Sequence, residues 1–115
     1  MKSLIAIQNE LKAPKGQYNS FGKYHYRSCE DILEAVKPLL HKHNATLSIT
    51  DEVVLIGDRF YVKATATFVS ADGYTQSVSA YAREELDKKG MDGSQITGAS
   101  SSYARKYALN GLFLI

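Results

Sequence analysis

Apolar positions along this chain change period twice. Leu4, Ile7 and Leu11 recur at helical spacing, which predicts a helix over residues 3–13 stopped by Pro14. Residues 14–23 carry Pro14, Gly16, Asn19 and Gly22 and read as loop, and Tyr24-His25-Tyr26-Arg27 reads as a short extended piece. Ser28, followed three residues later by Asp31, forms the acidic variant of a capping box. Ile32, Val36, Leu39 and Leu40 then give one apolar face, so a helix is expected over about 29–43. Pro38 inside that span predicts a kink or a break, and Asn44 a left-handed residue after its end.

From 46 to 83 the period becomes two. Leu47, Ile49, Val53 and Leu55 alternate with polar residues, as do Phe60, Val62, Ala64, Ala66 and Phe68, and then Val78, Ala80 and Ala82. Three strands with short turns make an antiparallel meander. The first turn, Gly57-Asp58, suits type II′ with glycine first. It pairs Leu55 with Phe60, Val53 with Val62 and Ile49 with Ala66, and sets Glu52 opposite Lys63. A two-residue turn at Asp72-Gly73 fails, because it would pair Val62 with Arg83 and mix the two faces. A three-residue loop, Ala71-Asp72-Gly73 with Gly73 left-handed, instead pairs Val62 with Ala82, Ala64 with Ala80 and Ala66 with Val78.

That register gathers Arg59, Tyr61, Lys63, Tyr81 and Arg83 on the face turned away from the core. Tyr61 lies opposite Arg83, and Lys63 opposite Tyr81. Cations that hold phosphates and rings that stack on bases alternate there. Such cross-strand pairs also stabilise a sheet by about 0.2–1 kcal/mol each with no ligand.

Residues 84–94 read as a polar loop of mixed charge, with Ser94 capping a last helix over about 95–110 that Gly111 ends. On it Ile96, Ser100, Tyr103 and Tyr107 line one side, and Thr97, Ser101, Ala104 and Ala108 form an adjacent strip of small residues. Arg105 and Lys106 point elsewhere, toward solvent or a ligand. The fold class is α+β: helices on one face of a three-stranded antiparallel meander, followed by a long helix.

The chain of 115 residues is one domain, and its 44% hydrophobic content suffices for a core. A net charge of +2 does not announce nucleic acid, so any basic surface must be local. A single cysteine, Cys29, excludes an internal disulfide and suits a reducing cytoplasm. No apolar run approaches the roughly 18 residues of a membrane span, and the N-terminus turns polar at Gln8 too soon for a signal peptide. The apolar end Leu112-Phe113-Leu114-Ile115 is expected to be the edge of a fragment with a tail beyond it.

Catalytic chemistry is thin. His41 and His43 are two apart on a helix and form a poor metal pair, and His25 stands alone among tyrosines. A helix start lowers a thiol pKa, but Cys29 has no assigned His partner and reads as a small structural residue. Glu84, Glu85, Asp87 and Asp92 lie in a loop rather than on the rigid elements a two-metal nuclease needs. The phosphate-loop motif of ATP-binding proteins is missing. Neither a cofactor nor a metal is expected.

Several blocks nevertheless fall into one order. They are Tyr26-Arg27-Ser28 leading into Glu30 through Leu40, then Tyr81-Ala82-Arg83-Glu84, then Lys89-Gly90-Met91-Asp92, and finally Gln95-Ile96-Thr97-Gly98 through Phe113. In these the chain resembles the ERF family of phage single-strand annealing proteins, over about residues 20–115, with Gly93 a minor departure. The resemblance implies DNA recombination and repair without ATP: binding of single-stranded DNA, assembly into homo-oligomeric rings or filaments, and pairing of complementary strands in the host cytoplasm. It also implies a core like that of the eukaryotic annealing recombinase, a curved meander crossed by a long helix. Family members are longer, and their tail is thought to make other contacts, such as with a host single-stranded-DNA-binding protein. Lys63, Arg83, Arg105 and Lys106 are the expected phosphate contacts, with Tyr61 and Tyr81 for stacking and Arg59 beside them as a further DNA-binding residue. The alternatives are a protein-interaction adaptor using the same sheet face, and an enzyme such as a nuclease.

Overall fold

The computed structural model describes residues 1–85 and 92–115. Its elements are α1 (Lys2–Glu10), β1 (Gln17–Asn19), β2 (Tyr24–Tyr26), α2 (Cys29–Lys42), β3 (Thr46–Ile56), β4 (Arg59–Val69), β5 (Thr75–Arg83) and α3 (Gly93–Phe113). β1 and β2 form a small antiparallel hairpin, and β3, β4 and β5 the meander, in that order. The fold is α+β, as the change of period predicts. The expectation for the loop after β5 falls partly on Asp87 and Lys89-Gly90-Met91, outside the described residues.

Both predicted registers occur. Leu55 pairs with Phe60, Glu52 with Lys63 and Ile49 with Ala66; Val62 pairs with Ala82, Ala64 with Ala80 and Ala66 with Val78. Gly57 takes φ 64 while Asp58 keeps a negative φ, as type II′ requires. In the second loop Ser70 N–H donates to the Tyr74 carbonyl at 2.8 Å, Gly73 N–H donates to the Ser70 carbonyl at 3.0 Å, and Gly73 sits at φ 91. Those contacts leave the three-residue loop.

The helices cover one face of the meander. Val62, Ala64, Ala66 and Phe68 are at most 1% exposed and meet Ile7, Ile32, Val36, Leu109, Leu112 and Phe113 in a single core. Each large apolar side chain buried this way contributes roughly 1.5–3 kcal/mol. Gln8 Nε2 donates to the Leu112 carbonyl at 2.9 Å and ties α1 to the end of α3. The helical layer stops short of the β3–β4 turn. Val53, Leu55 and Phe60, on the same sheet face as the core, stand 57%, 60% and 49% exposed there.

Four local expectations need correction. β1 lies inside the predicted loop: Asn19 Oδ1 accepts from Gly22 N–H at 2.9 Å and Lys23 takes φ 56, which closes a hairpin onto β2. Pro38 does not split α2. Pro38 and Glu34, whose carbonyl loses its partner, are both exposed, so water can replace the missing bond. The capping box at Ser28 and Asp31 forms as read, and Asn44 is left-handed at φ 51. The cap of α3 is Asp92 rather than Ser94: its Oδ1 accepts from Gln95 N–H at 2.9 Å, and Gln95 Oε1 accepts from Asp92 N–H at 3.0 Å. Gly111 does not end α3 either. The helix runs on because Leu112 and Phe113 are buried, and it ends at left-handed Leu114. The glycine instead permits close approach, since a Cβ built on Gly111 would lie 3.0 Å from Val78 Cγ1.

Candidate nucleic-acid interface

The predicted lattice lies on the meander face away from the helices. Alternation places Tyr61 and Lys63 out of phase with buried Val62 and Ala64. Tyr61 pairs with Arg83 and Lys63 with Tyr81; Lys63 Nζ stands 5.8 Å from the Tyr81 ring centroid, and Tyr81 is half exposed. Among the described residues Lys63 and Arg83 form no ion pair, and Glu52, though directly across, does not engage Lys63. Arg59 is partly occupied: its Nη2 donates to the Glu84 carbonyl at 3.2 Å, at the exit of β5. The same face continues as a row of hydroxyls, Thr65 with Ser79 at 2.8 Å and Thr67 with Ser77 at 2.9 Å.

Arg105 is elsewhere. It lies on the helix side of the sheet and grips Asp51, Nε to Oδ1 at 3.0 Å and Nη2 to Oδ2 at 3.1 Å, while Ser101 Oγ donates to the same carboxylate. Burial pushes the Asp51 carboxyl up, but the bonds from Arg105 and Ser101 and the guanidinium charge outweigh it and hold its pKa below the ordinary value. The bond to Asp51 in turn raises the Arg105 pKa. Arg105 is therefore a fastener between α3 and β3, and the expectation that it projects toward solvent or a ligand is corrected.

Lys106 lies in a groove between the β1–β2 hairpin and α3. Its Nζ stands 5.9 Å from the Tyr26 ring centroid and 5.8 Å from that of Tyr107. Tyr24 and Tyr103 complete four rings around a space of about 310 Å³, with Arg27 and Glu30 on its wall. Burial lowers the Lys106 pKa, and the nearby charges of Arg27 and Lys15 lower it further. Arg27 Nη1 donates to the Ala13 carbonyl at 3.1 Å, whereas its buried Nε finds no partner. Tyr103 also borders a smaller cleft of about 130 Å³ beside Arg83 and Glu85. On α3 the buried stripe is Ile96, Ser100, Ala104 and Ala108, so Tyr103 and Tyr107 leave the side assigned to them with Ile96 and Ser100 and stand half exposed. The sequence signal for this groove was Tyr24 and Tyr26 on one strand face and Tyr103 and Tyr107 one turn apart. Its meaning depended on the hairpin docking beside α3.

The remaining candidates form no catalytic grouping among the described residues. His43 Nε2 lies 3.4 Å from Glu10 Oε1, and His41 is exposed. Cys29 is 5% exposed, and burial, with Glu30 adding to it, pushes its thiol pKa up, the reverse of a helix-start nucleophile. Among the described residues no group of three His, Cys, Asp or Glu side chains is placed to hold a metal ion.

A meander with an uncovered basic-aromatic face, crossed behind by a long small-residue helix, now has a family. The sequence profile of the ERF superfamily matches residues 1–115, and the chain belongs to that family. Over 110 residues it is 68% identical to the Essential recombination function protein of Salmonella phage P22, a match that takes in 96% of this chain and 52% of that protein. The chain thus spans about half the length of this relative. No solved structure matches it. No helix among the described residues is long and apolar enough to cross a membrane.

Proposed function

We propose that this chain is a single-strand annealing domain of phage homologous recombination, acting in the host cytoplasm without ATP. The observation that carries the reading is the open sheet face on which Lys63 and Arg83, free of ion pairs among the described residues, alternate with Tyr61 and Tyr81. Its relative's name, Essential recombination function protein, supports the recombination role. An annealer holds phosphates, leaves base edges free and binds weakly enough per subunit for strands to shift register. A few cations per domain meet that need, and repetition around a homo-oligomer multiplies the hold through effective concentration. The exposed apolar tip of Val53, Leu55 and Phe60 supports a protein contact of that kind. A meander crossed by a long helix is also the arrangement expected of the eukaryotic annealing recombinase.

The test is annealing of complementary oligonucleotides without nucleoside triphosphate, together with binding across a salt series. Lys63→Ala with Arg83→Ala should weaken binding to all single strands alike and lower the salt slope by about 0.7 for each phosphate-holding cation removed. Annealing that requires ATP, or unchanged slopes in a double variant that merely melts earlier, would overturn the reading. The adaptor alternative predicts binding indifferent to strandedness.

A further inference from the structure

We propose that the groove between the β1–β2 hairpin and α3 takes one nucleotide of the bound strand, turned out from its neighbours, with its base on the tyrosines and its phosphate at Lys106 and Arg27. This rests on the single-strand reading above and adds a second, chemically distinct station to it.

Size comes first. A space of about 310 Å³ is at the lower end of small-ligand sites, the scale of a single nucleotide. The lining comes next. Tyr24, Tyr103 and Tyr107 stand 50%, 54% and 53% exposed, which leaves apolar ring faces wet in a concave place. Base-on-ring stacking covers such faces and tolerates any sequence.

Charge gives the orientation. Among the described residues Lys106 makes no ion pair, and Arg27 donates only to a backbone carbonyl, with its Nε unpartnered. Lys106 is also partly buried, with Arg27 and Lys15 near enough to oppose its charge, so an anion placed there removes a standing repulsion.

A route connects the stations. Arg83, at the end of edge strand β5, belongs to the outer lattice and also borders the cleft that Tyr103 shares with the groove. A strand leaving the lattice at Arg83 rounds the sheet edge and meets Tyr103.

The experiment uses the whole chain and a thymidine oligonucleotide carrying one 2-aminopurine, moved position by position. In the wild type, 2-aminopurine should be quenched on binding, through ring stacking at whichever position enters the groove. The variant Tyr103→Ala/Tyr107→Ala, at exposed sites and checked for an unchanged melting temperature, should lose that quenching. Its affinity should fall about tenfold to a hundredfold with its salt slope kept. Lys106→Gln should lower the slope by about 0.7. Lys63→Ala/Arg83→Ala, at saturating oligonucleotide, should retain the quenching. Wild-type quenching and affinity in the folded tyrosine variant, while the Lys63/Arg83 variant loses binding, would overturn this inference and leave the annealing reading standing. Loss of self-association in the tyrosine variant with its 2-aminopurine signal intact would overturn it in favour of a protein-filled groove. A wild-type chain that binds no oligonucleotide would overturn both.

Discussion

Arg105 and Asp51, 54 residues apart, are joined by two parallel hydrogen bonds at 3.0 and 3.1 Å. α3 packs over β4 and β5, and this fork carries its hold on to the edge strand β3. Removing either partner should therefore act on stability first. Asp51→Ala or Arg105→Ala should cost about 1–2 kcal/mol, between the values for exposed pairs and for well-made charge-assisted bonds. The double variant should cost less than the sum, and Arg105→Ala should keep the wild-type salt slope for single-stranded DNA. Urea unfolding and a binding series check both. A lower slope at full stability would return Arg105 to the interface.

Acid sensitivity follows from the carboxylates. Asp51 has its pKa lowered as described, and Asp31 is lowered by the Ser28 backbone and side-chain bonds and by Gln17. A carboxyl whose pKa is lower folded than unfolded stabilises the fold above its unfolded pKa, and that contribution disappears as pH falls through the folded value. Melting temperature should hold near neutrality and drop below about pH 4, where ordinary carboxylates titrate. Asp51→Asn should start lower and lose less over the same acid range. A parallel profile in that variant would show that the Arg105 pair does not drive the acid loss.

The start of α3 distinguishes two neighbouring candidates. Asp92 makes both bonds of the capping box, and Ser94 makes none with the helix start. Asp92→Ala should cost about 1 kcal/mol, with Ser94→Ala within about 0.5 kcal/mol of wild type. Calorimetry on the two variants decides, and equal losses would remove the cap assignment.

Gly111 sets up a contest of opposite signs. Alanine in a helix interior gains about 1 kcal/mol over glycine, but here its Cβ would meet Val78 Cγ1 at 3.0 Å. Val78 is β-branched and stiff, so the clash should win and Gly111→Ala should destabilise. Adding Val78→Ala should recover part of the loss, with a coupling of about 1 kcal/mol in a double-variant cycle. Strict additivity would mean that the two residues do not touch.

On the outer face, Tyr81→Ala should separate stacking from charge. Affinity for single strands should fall by roughly 1–3 kcal/mol with an unchanged salt slope. A changed slope would instead mean that Tyr81 acts by positioning Lys63 above its ring.

Much of the meander was legible because two-residue periodicity and glycine-bearing turns fix registers without tertiary information. Val62 opposite Ala82 follows from refusing to set apolar residues against Arg83. The misses share a different cause. Gly111 looks like a stop signal locally, yet buried Leu112 and Phe113 carry the helix through it. Arg105 looks like a free cation until β3 brings Asp51 beneath it. The groove at Lys106 needs the small β1–β2 hairpin, whose strands are three residues each and barely register as a pattern. Contacts between distant segments decided all three.

The bond from Gln8 to the Leu112 carbonyl, and the shared burial of Ile7 with Phe113, have a consequence for how the chain is made. A ribosome delivers α1 before the end of α3, so α1 waits through synthesis of the whole meander for part of its partner surface. The meander closes mostly between neighbours in sequence and need not wait. Pulse-labelled hydrogen exchange should find β4 amides protected before those of α1. Synthesis order and docking order then run opposite ways for these elements, and a helix that emerges ahead of the meander settles after it.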